Sequence, residues 1–391
     1  MSYDFHTLVN RRNTGSAKWN WMDSSAKAVP GEDVIPFSVA DMELKNAPEI
    51  AEGLAGFTAR SILGYTGPTD AYRDAVCGWM RTRHHWQIEP DWIVPFPGVV
   101  PALDQLVRLF TEPGDGVIIM PPVYGPFSSA VTQNGRALLK NPLIDTGRGY
   151  RIDFDGLESK AKDPRAKMLI FCSPHNPVGR VWTPEEIERV SRICLKNHIL
   201  VVSDEIHFDL ILPGHSHSVF STVVPEMAEN CIICTAPSKT FNLAGLIASN
   251  LIIQNEALRK RFLEGTHFGG SVNVLGLKAC EIAYTQCAGW LDELLLLLDK
   301  NRRLCEDFTA AEIPGIQVRL LEGTYLQWWD CRGLGLAEKE LEAFNHEKAL
   351  LFCNEGYQFG KEGSGFERIN LACPTAYLEK ALHRLKRALN A

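Results

Sequence analysis

The chain has 391 residues, 45% of them hydrophobic and 22% charged, which is typical of a folded protein with a sizeable core. Its formal net charge of -7 gives no basic face for nucleic acid, so we expect no nucleic-acid partner. The N-terminal residues lack an apolar signal segment, and the leucine-rich run 294–298 is too short to span a bilayer. We therefore expect a cytoplasmic protein that does not associate with membranes.

The eleven cysteines are scattered through apolar segments, which fits a reducing compartment better than a disulfide framework. Cys231 and Cys234 form a C-x-x-C pattern, but they lie in a strand-like run where residues three apart face opposite sides. The paired histidines His215 and His217 have no second ligand cluster at a suitable spacing. We predict no metal centre.

The first 45 or so residues show no strong periodicity, and the first informative segment is Pro97-Gly98-Val99-Val100-Pro101. This segment passes from a glycine turn into a helix. A helix start offers free backbone N–H groups and the positive end of the helix dipole to an anion such as a phosphate. An ordinary helix entry has the same pattern, so the segment is weak evidence alone.

Short apolar runs then alternate with helical patterns, which indicates an α/β fold. We predict buried strands at 117–120, 168–171, 199–203, 231–234 and 247–253. A helix from Pro184 to Lys196, with Thr183 as its N-cap, is predicted from the acidic first turn and basic last turn. Such units form a mostly parallel sheet with helices on both faces, and functional residues gather at the carboxyl ends of its strands.

Three side chains follow predicted strands at that edge. Tyr124, in Pro-Pro-Val-Tyr-Gly-Pro-Phe, could stack on a flat heteroaromatic ring or could be purely structural. Asn176, in Ser-Pro-His-Asn-Pro-Val-Gly, lies in a rigid turn that can project one polar side chain. Asp204 stands at the end of its strand and precedes Glu205.

Lys239 lies among small and hydroxylated residues in Thr-Ala-Pro-Ser-Lys-Thr-Phe-Asn. Such a lysine can form a Schiff base with a cofactor aldehyde, while an aspartate such as Asp204 can keep a pyridine nitrogen protonated. Either residue alone is equally well explained as a solvated lysine or a helix-capping aspartate. Together with the turns described above, they predict a pyridoxal phosphate site.

After about residue 284 the pattern changes to a long helix through Leu291 to Arg303, then shorter strands and helices, and a helix over 377–389. We predict a large cofactor-binding domain at 46–285 and a smaller α+β domain formed by 1–45 and 286–391. In Glu-Arg-Ile-Asn-Leu, the alternation places Arg368 and Asn370 on one strand face. Arg368 has the planar fork that suits a carboxylate.

In this order, the strings around Asn176, Asp204 and Lys239 resemble the fold-type I pyridoxal phosphate enzymes of the aspartate aminotransferase superfamily, class I/II. One branch fits best, the MalY/PatB group of carbon-sulfur β-lyases, which includes cystathionine β-lyases. The matching segments run from residue 11 to about 374: Arg11 to Trp19, Val39-Ala40-Asp41-Met42, Gly64-Tyr65-Thr66, Arg83-His-His-Trp86 and Ala236 to Gly245.

The resemblance implies a role for each matched residue. Lys239 would hold the cofactor covalently, and Asp204 would pair with its pyridine nitrogen. The other implied cofactor contacts are Asn176 to the ring oxygen, Tyr124 stacked on the ring, and Tyr65 reaching the cofactor phosphate of a neighbouring subunit. Implied substrate contacts are Arg368 to the α-carboxylate, Asn176, Ala40 and Asp41. The resemblance thus implies a homodimer with shared active sites, in which Lys239, Asp204 and Tyr65 take part in catalysis.

Two positions depart from the broad aminotransferase pattern. His207 stands where many of those enzymes have a tyrosine, and Ile247 replaces a common arginine. Both changes fit the lyase branch. They leave the phosphate anchor open, with the Gly98, Val99 and Val100 amides and Ser238 as candidates. His207 is either a cofactor contact or an ordinary strand-end histidine.

The function that this resemblance implies is β-elimination on cystathionine or a related cysteine S-conjugate, which yields a thiol, pyruvate and ammonia. An aminotransferase is the nearest alternative, because it uses the same lysine and aspartate. A regulatory protein that keeps the fold but contacts a transcription factor is an alternative of another class. The pattern does not identify the S-conjugate.

Overall fold

The computed structural model describes residues 2–24, 34–266 and 271–391. Its strands are β1 (Ile35–Pro36), β2 (Ile93–Phe96), β3 (Gly116–Ile119), β4 (Ala137–Lys140), β5 (Ile144–Asp145), β6 (Tyr150–Arg151), β7 (Ala166–Cys172), β8 (Leu200–Asp204), β9 (Cys231–Thr235), β10 (Ser249–Ile252), β11 (Gln317–Val318), β12 (Leu326–Asp330), β13 (Leu351–Phe352), β14 (Asn354–Glu355) and β15 (Phe366–Asn370).

Its α-helices are α1 (Ala17–Ser24), α2 (Pro48–Thr58), α3 (Asp70–His84), α4 (Val99–Phe110), α5 (Gly125–Gln133), α6 (Phe154–Ala161), α7 (Pro184–Lys196), α8 (Phe220–Val223), α9 (Pro237–Thr240), α10 (Glu256–Gly265), α11 (Val274–Gln286), α12 (Ala288–Glu312), α13 (Glu338–Ala343) and α14 (Thr375–Leu389).

A seven-stranded sheet in the order β2-β10-β9-β8-β7-β3-β4 forms the centre of the fold. The pairs from β9 through β4 are parallel, whereas β10 is antiparallel to both β2 and β9. Successive residues of β9 enter different cores, since Cys231 and Ile233 pack in one cluster and Ile232 and Cys234 in another. The predicted fold-type I architecture, with a mostly parallel sheet buried on both faces, is confirmed.

The predicted helix at 184–196 is confirmed as α7, with the predicted N-cap. Thr183 Oγ1 accepts a hydrogen bond from the Glu186 amide at 3.2 Å, and Glu186 Oε2 accepts one from the Thr183 amide at 2.9 Å. This capping box satisfies two amides at the helix start. The long helix α12 extends beyond the predicted 291–303, because its buried face continues from Trp290 to Thr309.

A second sheet, in the order β11-β12-β15-β14, lies in the C-terminal part of the chain. The N-terminal residues pack there as well: β1 pairs in parallel with β13, and the Phe5 and Trp290 rings lie 5.4 Å apart. Strand β15 runs between β12 and β14 and carries Arg368 and Asn370. The domain boundaries at residues 45 and 286 remain a prediction.

Among the helices of residues 2–24, 34–266 and 271–391, none is both long and apolar enough to cross a membrane.

Candidate active site

A cavity of about 440 Å³ opens at the carboxyl ends of the parallel strands β3, β7, β8 and β9. Because these strands are parallel, the turns that follow them meet at one edge of the sheet. The cavity brings together most of the side chains and amides expected there: Ala40, Gly98, Val99, Val100, Tyr124, Asn176, Asp204, His207, Ser238, Lys239 and Arg368.

Lys239 lies in the short helix α9, directly after β9. Its Nζ donates a hydrogen bond of 2.7 Å to the carbonyl oxygen of Ala40. Burial lowers the pKa of Lys239 to about 8, and the positive charges of Arg368 and Lys18 act in the same direction. An amine with this pKa has a substantial neutral fraction near neutral pH, which is the form that attacks an aldehyde or accepts a proton.

Asp204 is the last residue of β8 and is buried at the cavity wall. Its Oδ1 accepts a hydrogen bond of 3.1 Å from the Ile206 amide. Burial raises the pKa of Asp204 to about 7, and the nearby Glu205 charge adds to the rise. A buried carboxyl of this kind is stabilised as a carboxylate when a cationic group, such as a protonated pyridine, lies beside it.

We expect this buried carboxyl to make the stability of the ligand-free protein depend on pH. Because its folded pKa is raised to about 7, the stability that Asp204 contributes is fully present below its unfolded pKa and is lost as pH rises through about 7. Asp204→Asn removes this loss. The variant should gain about 3 kcal/mol relative to the parent between pH 5 and pH 8.

Urea unfolding of both ligand-free proteins at pH 5, 6, 7 and 8 measures the difference. Lys239 acts in the opposite sense, because its lowered pKa gives a contribution that is lost as pH falls through about 8. That contribution changes mainly between pH 10.5 and about 8, above the tested range, so it alters the comparison little although the charges of Asp204 and Lys239 interact. Equal pH dependence in the two proteins would contradict the assignment of a raised pKa to Asp204.

Arg368 projects from β15 into the cavity wall, where its guanidinium bonds to two asparagines. Its Nη1 donates to Asn176 Oδ1 at 3.1 Å, and its Nη2 donates to Asn354 Oδ1 at 2.5 Å. The guanidinium lies over the Phe359 ring at 4.8 Å. Burial lowers the pKa of Arg368 to about 10, so the side chain stays cationic at neutral pH.

These contacts fix the orientation of the Asn176 amide. A guanidinium can only donate hydrogen bonds, so the atom of Asn176 that faces Arg368 must be the oxygen. The Nδ2 group is then the part of the amide that is directed away from Arg368. Asn176 therefore offers a donor to a ring oxygen, as the resemblance implies.

Tyr124 and His207 lie on the cavity wall as expected. Tyr124 immediately precedes α5, and burial raises the pKa of its hydroxyl, so the hydroxyl stays protonated. His207 is almost fully buried, and burial lowers its pKa well below the ordinary value. Its ring lies edge-on to Tyr325, with centroids 5.9 Å apart, and within the described chain its Nδ1 has no hydrogen-bond partner.

The predicted helix entry at Gly98 is present, and α4 begins at Val99. Gly98 has a φ of +103°, a conformation that residues with a side chain rarely adopt. Gly98, Val99, Val100 and Ser238 all line the cavity. The Gly98 amide already donates to the Phe96 carbonyl at 2.8 Å, so the donors at this wall are the Val99 and Val100 amides and the Ser238 hydroxyl. This set can receive a phosphate.

Two of the residues singled out from the sequence lie outside the cavity wall. The Asp41 carboxylate forms ion pairs with Arg11 and Lys18, each at 2.8 Å, so a direct contact of this carboxylate with substrate is not supported. Tyr65 is fully exposed on this chain and lies near the exposed Ile62 and Leu63. Within a single chain, Tyr65 does not reach the cavity.

Sequence reasoning missed three residues that shape the site. Asn354 binds Arg368, Tyr325 donates its hydroxyl hydrogen to the Ala40 carbonyl at 2.9 Å, and Asn370 donates to the Val39 and Asp41 carbonyls. Val39 has a φ of +32°, which is strained for a β-branched residue, and the Asn370 bonds hold it there. Only Asn370 had a signal in the sequence, its place on the same strand face as Arg368.

The predicted absence of a metal remains a prediction. Among the described residues, one group of potential ligands comes together, with atoms within 4.8 Å of one another: Glu342, His346 and Glu355. His346 Nε2 lies 3.4 Å from Glu355 Oε1, and Lys339 Nζ lies 2.9 Å from Glu342 Oε2.

Comparison with known proteins identifies the family. The sequence profile of the family described as aminotransferase class I and II matches residues 32–385. Cystathionine beta-lyase PatB of Bacillus subtilis is 40% identical over 390 residues, covering 99% of this chain and 100% of its own length.

Two solved structures are also similar along the whole chain. Cystalysin from Treponema denticola, which contains pyridoxal 5'-phosphate, has a TM-score of 0.97 and 48% identity, and the match covers 100% of this chain and 99% of that one. The pyridoxal phosphate-bound C-S lyase from Staphylococcus hominis, complexed with L-cycloserine, has a TM-score of 0.94 and 32% identity, with 100% and 98% covered.

Proposed function

The chain belongs to the class I and II aminotransferase family, and within that family we propose that it is a pyridoxal phosphate-dependent carbon-sulfur β-lyase of the cystathionine β-lyase type. The observation that carries the proposal is the convergence of Lys239, Asp204, Asn176 and Arg368 in one cavity. Elimination is favoured over transamination because cystathionine beta-lyase PatB is 40% identical over 99% of this chain, whereas the aspartate aminotransferase of Sulfolobus acidocaldarius is 23% identical over 84% of it.

The cavity fits the cofactor. A buried amine, a buried carboxyl with a raised pKa and an amide donor lie on its walls, and each has a matching group on pyridoxal phosphate. When bound, pyridoxal phosphate supplies an electrophilic aldehyde and a pyridine ring that takes up the electron pair released at the substrate Cα. Asp204, as a carboxylate, keeps the pyridine nitrogen protonated.

Lys239 has two tasks in this proposal. Its amine would hold the cofactor covalently in the resting protein and, once freed, would accept the proton from the substrate Cα. Burial keeps its pKa at about 8, close to the pH at which such a base works best. Loss of the β-thiolate and hydrolysis then yield pyruvate and ammonia.

Arg368 binds and orients the substrate. Its guanidinium is held by Asn176 and Asn354 and can form a bidentate pair with the α-carboxylate. Binding the carboxylate at a fixed place fixes the direction of the Cα–H bond relative to Lys239. The Val99 and Val100 amides with Ser238 would hold the phosphate group, Gly98 would allow its close approach, and Tyr124 would stack on the ring. His207 contributes a neutral, buried imidazole to the same wall.

The test is an assay on a panel of cysteine S-conjugates, including cystathionine and cystine, without any added keto acid. We expect pyruvate in a stoichiometric amount with the sulfur product, which is a thiol from a thioether such as cystathionine and a persulfide from cystine. Turnover that requires an amino donor and a keto-acid acceptor would instead indicate an aminotransferase. No release from any conjugate would contradict the proposal and favour a regulatory role, which a pull-down for a transcription factor would detect.

We also propose a homodimer in which the partner subunit completes each active site. Ile62, Leu63 and Tyr65 form an exposed apolar segment, with exposures of 94%, 57% and 112%, and such patches mark interaction surfaces. The family resemblance implies that Tyr65 reaches the phosphate site of the other subunit. A second copy of the chain would therefore bury this segment.

Leu63→Asp should convert the dimer to a monomer, because a charge buried in an apolar interface is strongly unfavourable. Light scattering should show a mass that falls from twice 43.6 kDa to 43.6 kDa. Leu296→Asp is the matched control, since Leu296 is 60% exposed on α12 and lies outside the segment. A dimer that persists in Leu63→Asp would disprove the role of this segment.

We propose a cytoplasmic location on the chemistry of the cysteines. All eleven are free thiols, and ten of them are buried, which is the usage expected in a reducing compartment.

The large domain at 46–285 and the small domain at 1–45 and 286–391 are retained as a proposal, supported by the pairing of β1 with β13.

A further inference from the structure

Asp209 is a buried carboxylate that lies behind the cavity rather than on its wall. It follows β8 by five residues, and its side chain is 0% exposed. Its Oδ1 accepts hydrogen bonds from Trp79 Nε1 at 3.0 Å and lies 2.7 Å from His84 Nε2. Its Oδ2 accepts one from Thr240 Oγ1 at 2.7 Å.

These bonds connect the two segments that carry the central chemistry. Thr240 directly follows Lys239 in α9, whereas Asp209 belongs to the turn that begins at Asp204 and includes His207. The single Asp209 side chain therefore ties the lysine helix to the turn of the aspartate. Because Lys239 and Asp204 must contact opposite ends of one rigid cofactor, their spacing matters.

Helix α3 carries Trp79 and His84 and holds them in position beside Asp209. Trp79 stacks on Tyr284 with ring centroids 4.9 Å apart, and its edge meets Phe241, two residues after Lys239, at 5.6 Å. His84 stacks on Phe208 at 4.0 Å. These ring contacts hold Trp79 and His84, the two partners of Asp209 Oδ1, and so they also hold the carboxylate in place.

The Asp209 carboxylate is the shared acceptor of these groups. The Trp79 indole N–H can only donate, and the Thr240 hydroxyl, which can donate or accept, must donate to a carboxylate oxygen. Alanine at position 209 would leave the buried Trp79 N–H and Thr240 hydroxyl without this partner.

We propose that Asp209 is a positioning residue that acts through Thr240 to hold Lys239 at a fixed place relative to Asp204. This inference rests on the proposed function, because it assumes that Lys239 works on a bound cofactor. Asp209 does not contact the substrate or the reacting atoms.

The decisive pair of variants is Thr240→Val, which removes the hydroxyl at nearly constant volume, and Thr240→Ser, which keeps it. Both are compared with the parent as cofactor-loaded full-length proteins. In Thr240→Val, kcat should fall about 10- to 100-fold, as for a small misplacement of a reacting group, with KM changed less than about twofold. The pH midpoint of the visible cofactor band, which reports the protonation of the nitrogen of Lys239, should also move. Thr240→Ser should retain the parent kcat and midpoint.

Asp209→Ala gives an independent measurement and should reproduce the loss of kcat and the moved midpoint, because it removes the acceptor of the Thr240 hydroxyl. A purely structural role would lower the melting temperature of Asp209→Ala and Thr240→Val while leaving kcat and the midpoint at the parent values, and that result would overturn the proposal. If Asp209→Ala does not fold, the Thr240 pair decides. If the parent releases no pyruvate, the proposed function fails, whereas the comparison of midpoints still tests the positioning role.

Discussion

Lys239→Ala should lower the rate of pyruvate release by at least about 10³-fold. The substitution removes the group that holds the cofactor and the base that takes the Cα proton, and a positioned base alone contributes about 10²- to 10⁴-fold. Lys239 is half-buried at the cavity wall, and its amine bonds to the Ala40 carbonyl at 2.7 Å. Steady-state pyruvate production at saturating substrate measures the loss.

A second measurement separates loss of chemistry from loss of fold. The Lys239→Ala protein should keep the parent's far-ultraviolet circular dichroism, and borohydride treatment should no longer attach the cofactor to the chain, as measured by mass spectrometry. Lys260→Ala, a change at a lysine that is 72% exposed, is the control and should behave as the parent does. Pyruvate release by Lys239→Ala at a rate near the parent's would disprove the assignment.

Arg368→Lys should lower kcat/KM for a cysteine S-conjugate by about 10²- to 10⁴-fold, as expected from the loss of two charge-assisted hydrogen bonds to the α-carboxylate. Lysine keeps the charge but cannot form the planar bidentate pair. It also cannot contact Asn176 and Asn354 at the same time in the way the guanidinium does. Most of the loss should appear in KM, with a smaller loss in kcat from poorer orientation.

The control for Arg368→Lys uses both a second arginine and a second substrate. Arg319 is equally buried, at 2% exposure, and pairs with Asp145 and Asp330 away from the cavity. Arg319→Lys should therefore affect stability but not KM.

An S-conjugate that lacks the α-carboxylate should be a poor substrate for the parent and no worse for Arg368→Lys. A variant that discriminates between the two substrates as strongly as the parent would contradict the role of Arg368.

Much of the fold could be predicted from local patterns. Each of the five apolar runs became a strand of the central sheet, because runs flanked by turn residues and covered by helices have few other ways to be buried. The α7 helix followed from its N-cap Thr183, its acidic first turn and its basic last turn. The antiparallel direction of β10 was not predictable, since a short buried run reads the same in either direction.

The candidate site was predictable where a residue directly follows a strand. Asp204 and Lys239 are examples, since the parallel strands β8 and β9 bring their ends together. Asn354 and Tyr325 were not predictable, because they reach the site from the second sheet through side-chain contacts that depend on how the two sheets pack. The ion pairs that hold Asp41 likewise depend on where Arg11 and Lys18 fold back.

The Ala40 carbonyl oxygen has two donors, the amine of Lys239 and the hydroxyl of Tyr325. A carbonyl oxygen has two lone pairs, so it can hold both at once. When Lys239 turns toward the substrate, Tyr325 still satisfies this buried oxygen, and a penalty of about 1–3 kcal/mol for an unpaired acceptor is avoided. The amine of Lys239 can therefore leave the Ala40 carbonyl and return to it in each catalytic cycle, while the strained loop at Val39 stays in place.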